Sequence, residues 1–528
     1  MKKTLLPIAL ITSVCASFAQ LVPVTYKGAF APSPEEAWTT GWTEFEPQTK
    51  AYPLTNTDLE GTTITTNTAW TKDKVYQLKG YVFVESGVTL TIEAGTIIRS
   101  TAKAALIIKR GGKIMAEGTA TAPIVFTSNS ADNSRVKGDW GGIVICGAAQ
   151  HNKTSGPDAK VEGDITATYG GTDDADNSGV FRYVRIEFPG QSLSSADNSE
   201  INGLSLYAVG SGTKIDHIQV SYSGDDSFEW FGGAVTMSHL VAYRGVDDDF
   251  DTDNGFRGTV QFGVGHRHVG TADQSGSNGF ESDNDAEGST FTPITAPVFA
   301  NMTIIGPRYS ATTPDANFKR AAHIRRNSAC SIINSIIVGY TDAGLLLDGV
   351  RTVTHAANGE LTFANNYIAQ NVTNFKLASA SAALTINSSA DVQIWALASD
   401  KNNIEGADIN PGLVKPFALN NTVDYRPETS TSANLQVVTG IEDASSLSST
   451  EKIVVFPNPA NDNVQIALNS EFANATVTVQ NSMGTTVASS KAFGESVKFD
   501  VSGFANGLYI VSVTNGGNSI SKTLLINR

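Results

Sequence analysis

Asp225-Asp226-Ser227-Phe228-Glu229 returns as Asp247-Asp248-Asp249-Phe250-Asp251, with every position displaced by the same step. Phe280-Glu281-Ser282-Asp283 then matches Phe250-Asp251-Thr252-Asp253 after a longer step, as one more turn carrying an eight-residue loop. A period near 22, built from short strands without helical crossovers, predicts one turn of a parallel β-helix per repeat. Equivalent residues of successive turns then lie about 4.8 Å apart and form ladders of like side chains. The phenylalanines predict an inward aromatic stack, with the acids on the other side of the pleat or in the adjacent turn. A β-sandwich gives no reason for a constant shift, and a propeller blade is nearer to about 40 residues.

The pattern extends both ways. Asn301-Met302-Thr303-Ile304, Asn334-Ser335-Ile336-Ile337 and Asn365-Asn366-Tyr367-Ile368 recur at intervals of 33 and 31, turns with loop insertions, and the repeat fades after Phe375. Upstream, short β-branched runs broken by Gly and Asn begin near Val75, and no amphipathic helix of note interrupts them. The β-helix is therefore expected over residues 76–428, behind a cap or lead-in at 20–75 that is rich in Thr, Pro and Trp. Residues 429–450 read as a Ser-rich linker. Beyond it, residues 451–528 give about seven short alternating strands with turn residues between them, the pattern of a small Ig-like β-sandwich.

Three resemblances follow from these residues. Leu90-Thr91-Ile92 with Gly95-Thr96, and Gly138-Asp139-Trp140-Gly141-Gly142, resemble the turns of right-handed parallel β-helix proteins. Phe456-Pro457-Asn458-Pro459, the strand Gly507-Leu508-Tyr509-Ile510-Val511-Ser512-Val513 and the basic C-terminal strand resemble the type A sorting domain of Bacteroidetes type IX secretion cargo. The middle of the chain is similar to a family of secreted Bacteroidetes β-helix proteins whose function is generally unassigned. These resemblances imply an all-β protein, a right-handed parallel β-helix followed by the sandwich. They also imply partnership of residues 451–528 with the type IX machinery and its sortase. They supply no activity.

The other end of the chain agrees with export. Lys2 and Lys3, the apolar run Leu5 to Val14, and Ser17-Phe18-Ala19 form a signal peptide over residues 1–19, with cleavage expected near Ala19. No stretch of the mature chain is apolar for the roughly 20 residues that a membrane span needs, so a secreted or outer-membrane-surface location is expected. Removing Lys2 and Lys3 leaves 35 basic against 52 acidic residues, a net charge of −17. That balance argues against nucleic acid or an anionic membrane as partner and suits divalent cations. Cys146 and Cys330 are too few and too far apart for a disulfide framework and are expected as small buried residues.

One constellation carries chemistry. Between Asp225 and Glu287 stand thirteen carboxylates, opposed within that window by Arg244, Arg257 and Arg267 alone. The constant shift stacks Asp225 on Asp247, Asp226 on Asp248 and Glu229 on Asp251. Unit charges at that spacing repel by about 3–4 kcal/mol at an effective dielectric near 20. A hard divalent ion relieves this, and calcium tolerates irregular cages of six to eight oxygens. The expected ligands are Asp225, Asp226, Glu229, Asp247, Asp248, Asp251, Asp253, Glu281, Asp283 and Asp285. The bland alternative is a solvated acidic edge whose charges point apart.

Catalysis is the competing expectation. Asp247-Asp248, Asp251-Thr252-Asp253 and Gly265-His266 bear a faint resemblance to polygalacturonase motifs, but an Asp stands where that family has Asn and Arg267 replaces the second Gly of its Gly-His-Gly. Arg257, His266 or His268 would have to supply the base of a lyase. The remaining histidines, His151, His217, His239, His323 and His355, are scattered without zinc-ligand spacing. The function expected from the sequence is therefore a calcium-binding, non-catalytic surface protein that adheres to a glycan or another surface. A calcium-assisted polysaccharide lyase or hydrolase is the alternative.

Overall fold

A computed structural model describes residues 21–153, 156–163, 165–191, 201–379, 381–429, 435–436, 453–456, 460, 463–468, 472–481, 485–492, 496–516 and 518–526. The signal peptide, most of the linker and Pro457-Asn458-Pro459 lie outside the described residues. The chain forms two compact units, residues up to 436 and residues from 437 onward. No described helix is long and apolar enough to cross a membrane.

The first unit is a parallel β-helix. Its coils contribute to one parallel sheet of 17 strands and another of 11. The sequence period is the coil itself: Phe228 pairs with Phe250 and Glu229 with Asp251, and in the next coil Phe250 pairs with Phe280 and Asp251 with Glu281. The phenylalanines point inward as expected, with ring centroids 5.6 and 5.7 Å apart, inside the range favoured by offset stacks. Leu106, Ile143, Leu204 and Leu345 continue that ladder into one core running between the sheets.

The long strands of the 17-stranded sheet bend at one residue per coil. Asn301, Asn334 and Asn365, the recurrent asparagines, have φ of 53°, 54° and 56°. Asparagine is among the few residues that enter this left-handed region readily. In earlier coils the same bend is made by Tyr183, His217, His239 and Phe262, with φ between 49° and 63°. Their rings stack outward at successive distances of 4.2, 4.3 and 5.1 Å, which offsets the backbone penalty.

Three departures from the sequence reading have physical reasons. The strands begin at Thr57–Glu60, so the coil starts inside the stretch read as a lead-in. Residues 21–56 lie along the outside of the 17-stranded sheet instead of capping its end. There Phe30 stacks on Trp38 at 4.8 Å and on Tyr425 at 5.7 Å, and Phe45 packs on Tyr243, in a second apolar layer. Two short helices also occur. Val350–Asn358 buries Thr352, Val353 and Ala356, and Ser389–Ala396 packs Val392 and Ala396 against the last coils, shielding apolar surface the solenoid would leave open.

The excursion 147–178 covers the outward side of the early coils. Ala149, Ala159, Val161, Ile165 and Tyr169 cover the outward residues Ile107, Val144, Cys146, Tyr207 and Phe231 of the 11-stranded sheet. Cys146 and Cys330 are buried thiols. The second unit has antiparallel sheets of three and four strands, from Ile453–Phe456 to Asn518–Ile526, around a core that includes Val464, Val477, Val511 and Leu524.

Candidate functional site: an acidic column on the 11-stranded sheet

Next to the covered part of the sheet, the outward ladder changes from apolar to acidic. The register aligns Ser205, Glu229, Asp251, Glu281 and His323 on consecutive coils. Alternation along each strand fixes this: Phe228, Phe250 and Phe280 take the core, so the next residue must face out. The turns entering these strands bring Asp225, Asp226, Asp247 and Asp248 to the same corner.

Seven of the ten expected ligands fall into three groups: Asp225, Asp226 and Asp247; Asp226, Glu229 and Asp251; and Asp248, Asp251 and Glu281. Within each group one oxygen per residue lies within 4.8 Å of the others. Calcium holds oxygens at about 2.3–2.6 Å, so ligands on opposite sides of one ion stand about 5 Å apart. The other three play different parts. Asp283 is ion-paired with Arg325 and Arg326, at 2.8 Å each. Asp285 accepts from the backbone N–H groups of Glu287 and Ser289 at 3.0 Å, which pins a turn. Asp253 accepts from the N–H of Asn254 at 2.6 Å.

The groups are held by short-range bonds. Asp226 Oδ1 accepts from the N–H of Asp248 at 2.7 Å, and Asp248 accepts from the N–H of Asn278. The Asn278 amide donates to Glu281 at 2.9 Å, and Asn202 donates to Glu229. Asp251 Oδ1 is buried and has no hydrogen-bond partner among the described residues, a costly arrangement for a carboxylate in a water-poor site.

Burial is the main force on these groups, and neighbouring negative charge adds to it. Together they push Asp226, Glu229, Asp247 and Asp251 well above the usual carboxylate range. Burial and Glu281 raise Asp248 to about 7, against Arg267 and Asn278, while burial and Asp283 raise Asp253 to about 8. Glu281 goes the other way: His323, Arg325 and Arg326 outweigh its burial and hold it below its ordinary value. The protein's own cations thus serve the Glu281–Asp283 coil. Among the described residues no Lys or Arg pairs with Asp226, Glu229, Asp247, Asp248 or Asp251.

The arginines expected to oppose the column do so elsewhere. Arg257 pairs with Asp174 at 3.0 Å, Arg267 with Asp249 at 3.1 Å, and Arg244 bonds to Tyr222. His266 is on the other sheet, fully buried, with Tyr425 at 2.8 Å and Tyr309 at 3.1 Å, and burial lowers it to about 3. That corrects its placement beside the acids. Sequence reading missed Arg325, Arg326, His323, Asn202 and Asn278. It also missed Glu162, whose charge reaches Glu229 from the covering excursion. Carrying Phe280-Glu281-Ser282-Asp283 one coil further onto Ala322-His323-Ile324-Arg325 would have found the first and third of these.

Two long parallel sheets joined coil by coil define the class as a parallel β-helix. Residues 62–410, more than half of the chain, match the pectate-lyase-like β-helix domain, and the chain belongs to that family. Residues 454–527 match the secretion system C-terminal sorting domain. This is the type IX signal, which marks the chain for secretion and cell-surface attachment and implies a Bacteroidetes origin. Among solved structures, the full-length tailspike protein 2 from Escherichia coli O157:H7 bacteriophage CAB120 is similar at 11% identity and a TM-score of 0.20. The match covers 86% of this chain and 64% of the tailspike. No curated protein sequence matches significantly.

The sorting unit has its own core, so deletion of residues 451–528 should leave the β-helix folded but retained in the periplasm. Surface immunolabelling of whole cells checks this; a truncated chain that still reached the surface at normal levels would refute the dependence.

Proposed function

We propose that this surface protein binds calcium in the acidic column and uses that face to hold a glycan or another surface ligand without turning it over. The observation that carries the reading is Asp251: it belongs to two of the three carboxylate groups and keeps a buried oxygen without a partner among the described residues. A divalent ion would supply that partner and offset part of the negative charge that Asp251 shares with Asp226 and Glu229 in one group, or with Asp248 and Glu281 in the other. A glycan's hydroxyls or carboxylates would complete the ion's shell from solvent.

One observation favours a second reading, a calcium-assisted lyase or hydrolase. Asp248 and Asp253, raised to about 7 and about 8, are in the range of a general acid at neutral pH. Incubation of the mature protein with pectin, alginate and chondroitin separates the two. Retention on one of these polymers in calcium is expected, with neither new reducing ends nor the ultraviolet absorbance of unsaturated products. Turnover that Asp251→Asn abolishes would establish the enzyme instead.

A further inference from the structure

The same coils carry a pocket of opposite charge. Lys137, Arg244 and His268 line a cavity of about 240 Å³ with Gly270 and Thr271. Lys137 comes from the loop before Trp140, while Arg244 and His268 follow the strands Met237–Tyr243 and Thr259–His266. The three basic side chains therefore converge from three separate passes of the chain.

Their internal partners leave donors over. The Lys137 ammonium has three N–H groups and donates one to the Gly245 carbonyl at 3.2 Å. The Arg244 guanidinium donates to the Tyr222 hydroxyl at 2.7 Å and lies 4.9 Å above that ring, which fixes its plane. Its Nη2 is 3.4 Å from His268 Nδ1. Among the described residues neither Lys137 nor Arg244 has a carboxylate at ion-pair distance. Asp249, whose charge reaches Lys137, is already paired with Arg267.

Like charges assembled without a counterion destabilise the fold unless something neutralises them. Burial, with Arg267 and Arg244 nearby, pushes Lys137 down to about 7, and burial with Arg244 lowers His268. In a chain of net charge −15, Lys137 and Arg244 stand, among the described residues, without the carboxylate partners that Lys109 and Arg110 find in Glu85 and Asp158.

We propose that Lys137, Arg244 and His268 form an oxyanion-binding pocket. Lys137 acts there as the point charge, and the fixed guanidinium fork of Arg244 takes two oxygens of a sulfate, phosphate or carboxylate group. At about 30 Å³ per water the cavity has room for about eight waters, enough for one small anion or the charged substituent of a larger ligand. The anion reaches the pocket either as a free inorganic ion or as a substituent of an acidic or sulfated sugar. The pocket is independent of the calcium reading.

The test uses metal-free mature protein. Melting temperature and calorimetric titration are followed with sodium sulfate, sodium phosphate, glucuronate and N-acetylglucosamine 6-sulfate, each against sodium chloride at matched ionic strength. A saturable rise with at least one oxyanion is expected, with affinity falling about tenfold or more in Lys137→Met, the loss of one charge-assisted contact. Tighter binding of a sugar acid or sugar sulfate than of the inorganic ion assigns the pocket to a glycan substituent, and the reverse order assigns it to a free ion. Arg244→Gln should weaken binding further; if it fails to fold, Lys137→Met with an unchanged far-ultraviolet spectrum suffices. Responses equal to chloride for all four probes, or a response that Lys137→Met leaves intact, would overturn the proposal.

Discussion

Replacing Arg267 by methionine should destabilise the β-helix by about 3–5 kcal/mol, read as a fall in the urea midpoint of the first unit. Arg267 and Asp249 are both fully buried, with the guanidinium Nε 3.1 Å from the carboxylate, and the Arg267 Nη2 also donates to the carbonyl of Asn278. Removing the arginine strands a carboxylate that burial already raises to about 7 even with its partner present. If the stranded charge causes the loss, adding Asp249→Asn should recover part of it. A double variant as unstable as the sum of the two single variants would show that lost packing, not charge, is responsible. The effect should also reach the acidic column. The amide of Asn278 donates to Glu281 while its backbone N–H donates to Asp248, so a shift of this residue disturbs two candidate ligands at once.

Register was the most legible property of this sequence. Phe228, Phe250 and Phe280 mark the inward ladder, and once they are aligned the alternation of a strand leaves Glu229, Asp251 and Glu281 no choice but the outer face. The loop that lengthens the step from Phe250 to Phe280 did not hide it, because the residues around each phenylalanine kept their pattern. The cations of the site were hidden for a related reason. His323 and Arg325 follow Glu281 and Asp283 only after a long insertion, and Ala322 stands in the coil where the earlier ones have phenylalanine.

Proximity in sequence misled in the case of His266. A coil passes through both sheets, so between Asp251 and His266 the chain crosses to the opposite wall, where Tyr309 and Tyr425 bury the imidazole. The converse holds for His217 and His239. They look scattered, yet they are separated by a single coil, and their rings stack at 4.3 Å. The asparagine ladder showed itself as a repeat in the late coils only, because the early coils make the same bend with aromatic rings.

Calcium should raise the melting temperature of the first unit at neutral or alkaline pH and lose most of that effect near pH 5. Asp226, Glu229, Asp247 and Asp251 are raised well above their ordinary values, with Asp248 at about 7 and Asp253 at about 8, by burial first and by neighbouring carboxylates, Glu162, Glu281 and Asp283 among them, second. A carboxylate raised on folding binds more protons in the folded than in the unfolded state between its two pKa values. Without metal, the contribution of these groups to stability is therefore full below about pH 4, the unfolded value, and is lost as pH rises through about 7–8. Calcium competes with those protons, so its stabilisation grows over the same window in which the apo protein weakens. At a hundredfold excess over the dissociation constant the gain is about 2.7 kcal/mol, reversed by a chelator. Asp251→Asn tests the assignment from both sides: it removes one of the mutually repelling charges, so the apo protein should melt higher at pH 8, while the response to calcium shrinks. A metal-free protein whose melting curve at pH 8 ignores both calcium and Asp251→Asn would make the column a set of protonated, mutually hydrogen-bonded acids with no ion to hold.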